Sequence, residues 1–299
     1  MRYWLEYFPV WLIAQTLRRL PRPLARAFGC SIGTLFYWLH PRLRRVGLRN
    51  LAMAYPEKTL DERQQVLKRV YVSLGRLLAE VPKFPDYTLE NVDSIAIYDG
   101  LENYLAARDR GKGVLFMTAH LGGWEIGSFV HSLHGHGLNI VVRDLDNPLL
   151  NRWVKQLREL HGNKTHDKDD YARGLIAAMR RGETVGALMD TNMTPPQGVF
   201  VDFFGVPACT AVGIARVAMH TGAAVVPAFT IWDEAQGKYR IRFEPAIPTV
   251  STGDADADAV ANTQNYTAAI ERAIREHPDQ WLWVHRRWKT RPAGQPSLY

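Results

Sequence analysis

Hydrophobic positions along this chain fall into three textures. Two long apolar blocks, residues 7–17 and 24–39, open it. Over residues 60–81 the apolar side chains recur at helical spacing (Val66, Val70, Leu74, Leu77, Leu78, Val81), which predicts an amphipathic helix punctuated by Pro82, Pro85 and Asp86. From about residue 100, short apolar runs alternate with helical stretches. Residues 113–119, 139–143, 184–190 and 223–231 predict buried strands; residues 147–161, 171–181 and 210–220 predict helices between them. Strand and helix alternating in this way need crossover connections, so the expected fold is α/β, with a central, mostly parallel sheet flanked by helices. Residues 238–244 alternate with period two and predict a more exposed strand. Residues 259–276 predict a last helix, and the small, acidic stretch 251–258 a linker loop. The change of texture divides the chain into an N-terminal segment, 1–50, and a main domain, 51–299.

Charge sharpens the reading of the first segment. The chain carries a formal +7, while residues 1–60 alone hold ten bases and two acids, a net +8. These bases are interleaved with Trp4, Trp11, Phe28, Phe36, Tyr37 and Trp38. Nucleic acid and an anionic bilayer both suit such a mixture. The apolar residues come in long blocks and not as isolated stacking rings, which favours an anionic membrane surface over nucleic acid, with part of the segment packed on the protein's own core. A spanning helix needs about 20 apolar residues. Glu6, Pro9 and Gln15 interrupt the first block and Arg26 the second, and no Ala-x-Ala cleavage site follows. The expectation is a retained hydrophobic helical anchor, interfacial or single-pass. Cys30 and Cys209, without paired spacing, argue against a disulfide framework or a cysteine metal site.

The chemistry concentrates in Thr118-Ala119-His120-Leu121-Gly122-Gly123-Trp124-Glu125. His120 falls at the C-terminal end of a predicted strand, where open α/β sheets place their ligands. On one regular helix His120 and Glu125 would be about 140° apart. Gly122-Gly123 can turn the chain sharply before a helix begins, so Glu125 is expected in the first helical turn, its carboxylate folded back on the imidazole. That pairing makes His120 a general base and Glu125 its orienting partner. There is no His-Glu-x-x-His motif and no Cys/His cluster, which argues against a metal site. Gly-x-Ser-x-Gly is also absent, which favours direct attack by a substrate hydroxyl activated by His120, with hydrolysis of a lipid ester by activated water as the alternative. Asp190 and Asn192 follow another strand and should lie beside the base. Phe200, Phe203 and Phe204 suit either an acyl channel or plain core. Arg143 ends a further strand and suits a phosphate, a carboxylate or solvent. The run from His285 to Arg291 (HRRWKTR) is either a solvated tail or a dock for an anionic headgroup or acidic protein.

Taken together, the motifs resemble the bacterial lipid A biosynthesis acyltransferases within the wider lysophospholipid acyltransferase superfamily. The likeness covers nearly the whole chain: Asn50-Leu51 leading to Tyr55-Pro56-Glu57, His120 with Glu125, Val142-Arg143 with Asn147-Pro148-Leu149, the segment from Gly198 to Gly205, Val226-Pro227, and Trp283 to Pro292. The resemblance implies an O-acyltransferase that moves a fatty acyl chain from an acyl carrier protein thioester to a hydroxyl of a lipid A precursor, at the cytoplasmic face of the inner membrane. It implies His120 as base and Glu125 as its partner, and no cofactor. Arg143 would bind the phosphate-bearing part of a substrate, and Asp190, Asn192, Gly205 and Pro227 would shape the remainder of the cleft. The Gly-Trp within the dyad segment is closer to the general branch of the family, some of whose members acylate other membrane glycolipids.

Overall fold

The computed structural model describes residues 1–167 and 171–299. It opens with helices α1 (Arg2–Arg19), α2 (Arg22–Leu39), α3 (Pro41–Ala54) and α4 (Leu60–Glu80). Thr59 and Glu62 start α4 with a capping box, each side chain bonding the other's backbone N–H. Helix α2 lies against α4 through Gly29, Gly33 and Gly75, where an added Cβ would overlap the facing backbone. Position 50/51 falls inside the unbroken α3, and both Asn50 and Leu51 are fully buried.

Helix α1 lies across the protein and is pinned at both ends. Near its start, Asn147 Nδ2 donates to Tyr3 O at 2.9 Å and to Glu6 Oε2 at 3.0 Å. At its end, Lys83 Nζ donates to the carbonyls of Arg18 and Leu20, and Arg18 pairs with Asp86. Trp4, Leu5, Phe8 and Leu12 stay exposed on its outer side. The expected single-pass anchor is not found, because no helix among the described residues is long and apolar enough to cross a membrane. Polar interruptions and a face committed to protein contacts leave neither α1 nor α2 apolar all round.

The rest of the chain builds the sheet: β1 (Ala96–Asp99), α5 (Leu101–Arg108), β2 (Val114–Thr118), α6 (Trp124–Leu133), β3 (Leu138–Val142), α7 (Pro148–Arg158), β4 (Lys164–Asp167), α8 (Tyr171–Arg180) and β5 (Thr184–Leu188) come first. A hairpin follows, β6 (Gly198–Phe203) and β7 (Val206–Ala211), and then α9 (Gly213–Thr221), β8 (Ala224–Asp233), β9 (Lys238–Phe243) and α10 (Ala255–Glu276). Seven strands run in the order β1-β9-β8-β2-β5-β3-β4. Strands β8, β2, β5, β3 and β4 are mutually parallel; β9 is antiparallel to β8, with β1 parallel to β9. The α/β expectation therefore holds. Both faces of β2 are covered: Leu115 and Met117 join one core, Val114 and Phe116 the other. Burial on both sides is why this strand reads as a continuous apolar run.

Two local expectations give way. The helix expected over 210–220 begins only at Gly213, because Phe204 and Gly205, both with positive φ, close a two-residue hairpin that makes 206–211 a strand. The acidic stretch 251–258 is not a simple linker. Asp254 caps α10 by accepting from Asp256 and Ala257, and buried Asp258 accepts from Thr252.

Candidate active site

Strands β2 and β5 pair in a register that sets Val114 opposite Thr184 and Thr118 opposite Leu188. The ladder runs on, with Met189 N–H donating to Thr118 O at 3.0 Å. Two residues past each strand end, that register brings His120 to Asp190. Asp190 Oδ1 is 2.9 Å from His120 Nδ1. Its Oδ2 accepts from the His120 backbone N–H at 2.8 Å and from the Trp281 indole N–H at 2.7 Å.

This carboxylate is 3% exposed and takes three hydrogen bonds. Burial alone would raise its pKa, but the adjacent imidazole and these donors outweigh that and hold it down at about 2. Burial likewise pushes the His120 pKa down, and the charge and hydrogen bond of Asp190 reverse the shift, leaving it above its ordinary value. A carboxylate accepts only from an N–H, so Asp190 fixes the neutral imidazole with its proton on Nδ1 and a lone pair on Nε2. The His120 side chain is 22% exposed, and its Nε2 makes no hydrogen bond among the described residues. An ionised carboxylate behind an imidazole with an open Nε2 is equipped to take a proton from a hydroxyl.

Gly122, at φ +59°, and Gly123 turn the chain out of β2 as expected. Their N–H groups donate to Gln280 O at 2.9 Å and Thr230 O at 2.7 Å. The turn is clamped by the strap that follows α10, residues 277–291: Leu121 bridges Trp281, and Leu282 N–H donates to His120 O at 3.1 Å. Glu125 does lie in the first turn of α6, but its carboxylate is not on the imidazole. It is held by the guanidinium of Arg158, the last residue of α7, with Nε at 3.2 and 3.0 Å from its two oxygens. The helix start directs Glu125 toward α7, where the planar fork of Arg158 matches a carboxylate. The negative charge of Glu125 nevertheless helps raise the His120 pKa.

The other residues singled out from sequence are dispersed. Asn192 is beside the strap: its N–H donates to His285 Nε2 at 3.0 Å and its amide Nδ2 to Thr290 Oγ1 at 2.9 Å. Arg143 stands past the end of β3, exposed, 3.8 Å from Asp146. Pro227 is buried inside β8 opposite Met117, short of the strand end. Gly205 is the hairpin turn, at φ +74°. Phe203 and Phe204 are core residues, packed on Trp281 and Trp283 respectively. The run 285–291 is neither a tail nor an open basic patch. Arg287 and Trp288 are fully buried, with Arg287 bonded to Cys209 O and Thr210. Among the described residues, no three His, Cys, Asp or Glu side chains converge as a metal-ion set. Sequence reasoning missed Arg158, Trp281 and His285 as neighbours of the site. The available signal for His120 and Asp190 was that each follows a short apolar strand, two residues past its end.

Comparison with known proteins shows the family. The family model described as bacterial lipid A biosynthesis acyltransferase matches residues 1–290. The chain is 31% identical to the lipid A biosynthesis lauroyltransferase of Escherichia coli (strain K12), across 100% of this chain and 95% of that one. It is 28% identical to the palmitoleoyltransferase of the same organism, again over 100% of this chain and 95% of the relative. With the lipid A biosynthesis myristoyltransferase of that strain it shares 25% identity, over 98% and 91%. The chain belongs to the bacterial lipid A biosynthesis acyltransferase family.

Proposed function

We propose that this family member transfers a fatty acyl chain from the thioester of an acyl carrier protein to a hydroxyl of a lipid A precursor, with His120 as general base. The observation that carries the reading is the His120–Asp190 pair, which leaves Nε2 as an open proton acceptor at the C-terminal edge of the parallel strands. The acceptor hydroxyl forms a C–O bond to the thioester carbonyl carbon while its proton passes to Nε2, and the carbonyl π pair moves onto oxygen. Collapse of that intermediate restores C=O and breaks the C–S bond; the departing thiolate takes the proton back from His120. Asp190 keeps the tautomer and steadies the imidazolium. Glu125 acts at one remove, holding Arg158 against the site and adding negative charge near the base. Arg143, exposed beyond β3, is assigned to a substrate phosphate. Asn192, Gly205 and Pro227 act by shaping the walls.

The enzyme works at the cytoplasmic face of the inner membrane, resting there through the outer side of α1 and the neighbouring basic residues. Exposed Trp4, Leu5, Phe8 and Leu12 suit the interface, and exposed Arg2, Arg19, Arg42, Arg45 and Arg49 suit anionic headgroups. The decisive experiment supplies a radiolabelled dodecanoyl thioester of acyl carrier protein and a lipid A precursor. Wild type yields acylated lipid and His120→Ala does not. Release of free fatty acid in its place, or undiminished transfer by His120→Ala, overturns the reading.

A further inference from the structure

We propose that His285 is a second working imidazole of this site, donating from Nδ1–H to the acyl carbonyl oxygen as the hydroxyl adds to the carbon. The inference rests on the acyl-transfer reading above. It begins with one hydrogen bond: Asn192 N–H donates to His285 Nε2 at 3.0 Å. A backbone N–H can only donate, so Nε2 holds a lone pair and the neutral ring carries its proton on Nδ1. Among the described residues Nδ1 has no hydrogen-bond partner, nor is it one of the partnerless polar atoms sealed from solvent. It is a free donor that reaches solvent.

The backbone that carries the ring, and the Asn192 that bonds it, are held in turn. The His285 carbonyl accepts from Asn50 Nδ2 at 2.7 Å, and Leu282, three residues earlier, donates to the His120 carbonyl. Asn192 lies two residues beyond Asp190 and is latched to the strap, with Thr290 N–H donating to its Oδ1 at 2.8 Å. Burial, then the neighbouring charges of Arg287, His120 and Lys289 against the opposing pull of Asp190, keep this imidazole neutral near pH 7.

The two histidines are thus committed in opposite senses. His120 donates at Nδ1 to Asp190 and offers a lone pair at Nε2; His285 accepts at Nε2 and offers a proton at Nδ1. Acyl transfer needs one of each, a base for the nucleophile and a donor for the developing oxyanion. His285 keeps its proton throughout. The Nδ1–H hydrogen bond strengthens as the π pair reaches oxygen and relaxes when C=O reforms and C–S breaks.

The test separates this role from the bond that holds the ring. His285→Gln can still accept from Asn192 N–H, since its amide oxygen reaches the Nε2 position, but it has no donor at Nδ1. His285→Asn places an amide N–H at the Nδ1 position and loses the other bond. With the dodecanoyl thioester and lipid A precursor, His285→Gln should lose about 10²–10³-fold in kcat, with KM and thermal unfolding near wild type. His285→Asn should turn over faster than His285→Gln although it is the less stable protein. Near-normal kcat in His285→Gln, or His285→Asn no faster than His285→Gln, overturns the assignment. His120→Ala, run alongside, marks the broader reading: if it too stays active, acyl transfer by His120 fails; if it is dead while His285→Gln is normal, only the His285 assignment fails.

Discussion

Asp190 meets His120 because the β2–β5 register continues past both strand ends, setting the carboxylate 2.9 Å from Nδ1 and 2.8 Å from the histidine's own backbone N–H. One carboxylate therefore fixes both the ring and the main chain that carries it. A third bond, from the Trp281 indole at 2.7 Å, ties that carboxylate to the C-terminal strap. Imidazole, carboxylate and strap form one hydrogen-bonded unit.

Asp190→Asn tests that unit directly. The amide keeps the shape, loses the charge and can donate to Nδ1, which favours the wrong tautomer. By analogy with other orienting carboxylates, kcat should fall by about 10³–10⁴-fold. Asp190 also raises the His120 pKa, and under the proposed mechanism the imidazole acts only when neutral. The residual activity should therefore reach its plateau at lower pH than wild type, a displacement visible in kcat/KM measured across pH 5–9.

Stability should carry the same signature at acid pH. The Asp190 pKa is depressed to about 2, against about 3.9 when unfolded. Its contribution is fully present above the unfolded value and is lost as pH falls through about 2. A depression of that size corresponds to about 2–3 kcal/mol. His120, raised by the same contact, contributes below its unfolded pKa and loses that contribution as pH rises through the folded one; this is one interaction seen from both partners. Urea unfolding between pH 2 and 5 should show a flatter acid limb for Asp190→Asn than for wild type. Parallel limbs would mean that the pair is not formed.

Glu125 offers a contrast between sequence proximity and contact. Held by Arg158, it should matter through placement. Glu125→Gln should lower kcat less than Asp190→Asn does, and Arg158→Leu should behave like Glu125→Gln. Loss as complete as in His120→Ala, with Asp190→Asn mild, would return Glu125 to the imidazole.

The contrast also shows what was legible beforehand. Burial on both faces made β2 and β8 readable as apolar runs, and the strand-end position of His120 followed from β2. The Gly122-Gly123 turn and the placing of Glu125 at the helix start were readable too. Asp190 was rightly expected beside the base, but its direct bond to the imidazole was given to Glu125, because that pairing is fixed by a register between strands 70 residues apart, and local spacing carries no information about register. His285 and Arg287 read as part of either a solvated tail or a dock for an anionic headgroup or acidic protein, yet the strap folds in and buries Arg287 against carbonyl and hydroxyl oxygens. The β6–β7 hairpin escaped notice because Phe204-Gly205 takes a turn more often marked by Asn-Gly.

The outer side of α1 leads to a prediction about how the protein meets the bilayer. Trp4, Phe8 and Leu12 recur every four residues and so form one stripe, 61%, 56% and 51% exposed. The helix is bonded to the protein at both ends, through Asn147 and through Lys83 and Asp86. A helix pinned in this way lies along the surface, so its stripe should enter the interface with the axis in the membrane plane. Burying one large apolar side chain contributes about 1.5–3 kcal/mol, so Phe8→Glu should weaken partitioning onto phosphatidylglycerol-containing vesicles by about tenfold or more. The basic residues beside the stripe add an electrostatic share that is screened at 1 M salt, where the Debye length is about 3 Å. Sedimentation with vesicles should therefore show binding reduced by either change and abolished by both together. Retention on vesicles by Phe8→Glu in 1 M salt would require a different attachment, and α1 would then have to leave Asn147 and Lys83 to make it.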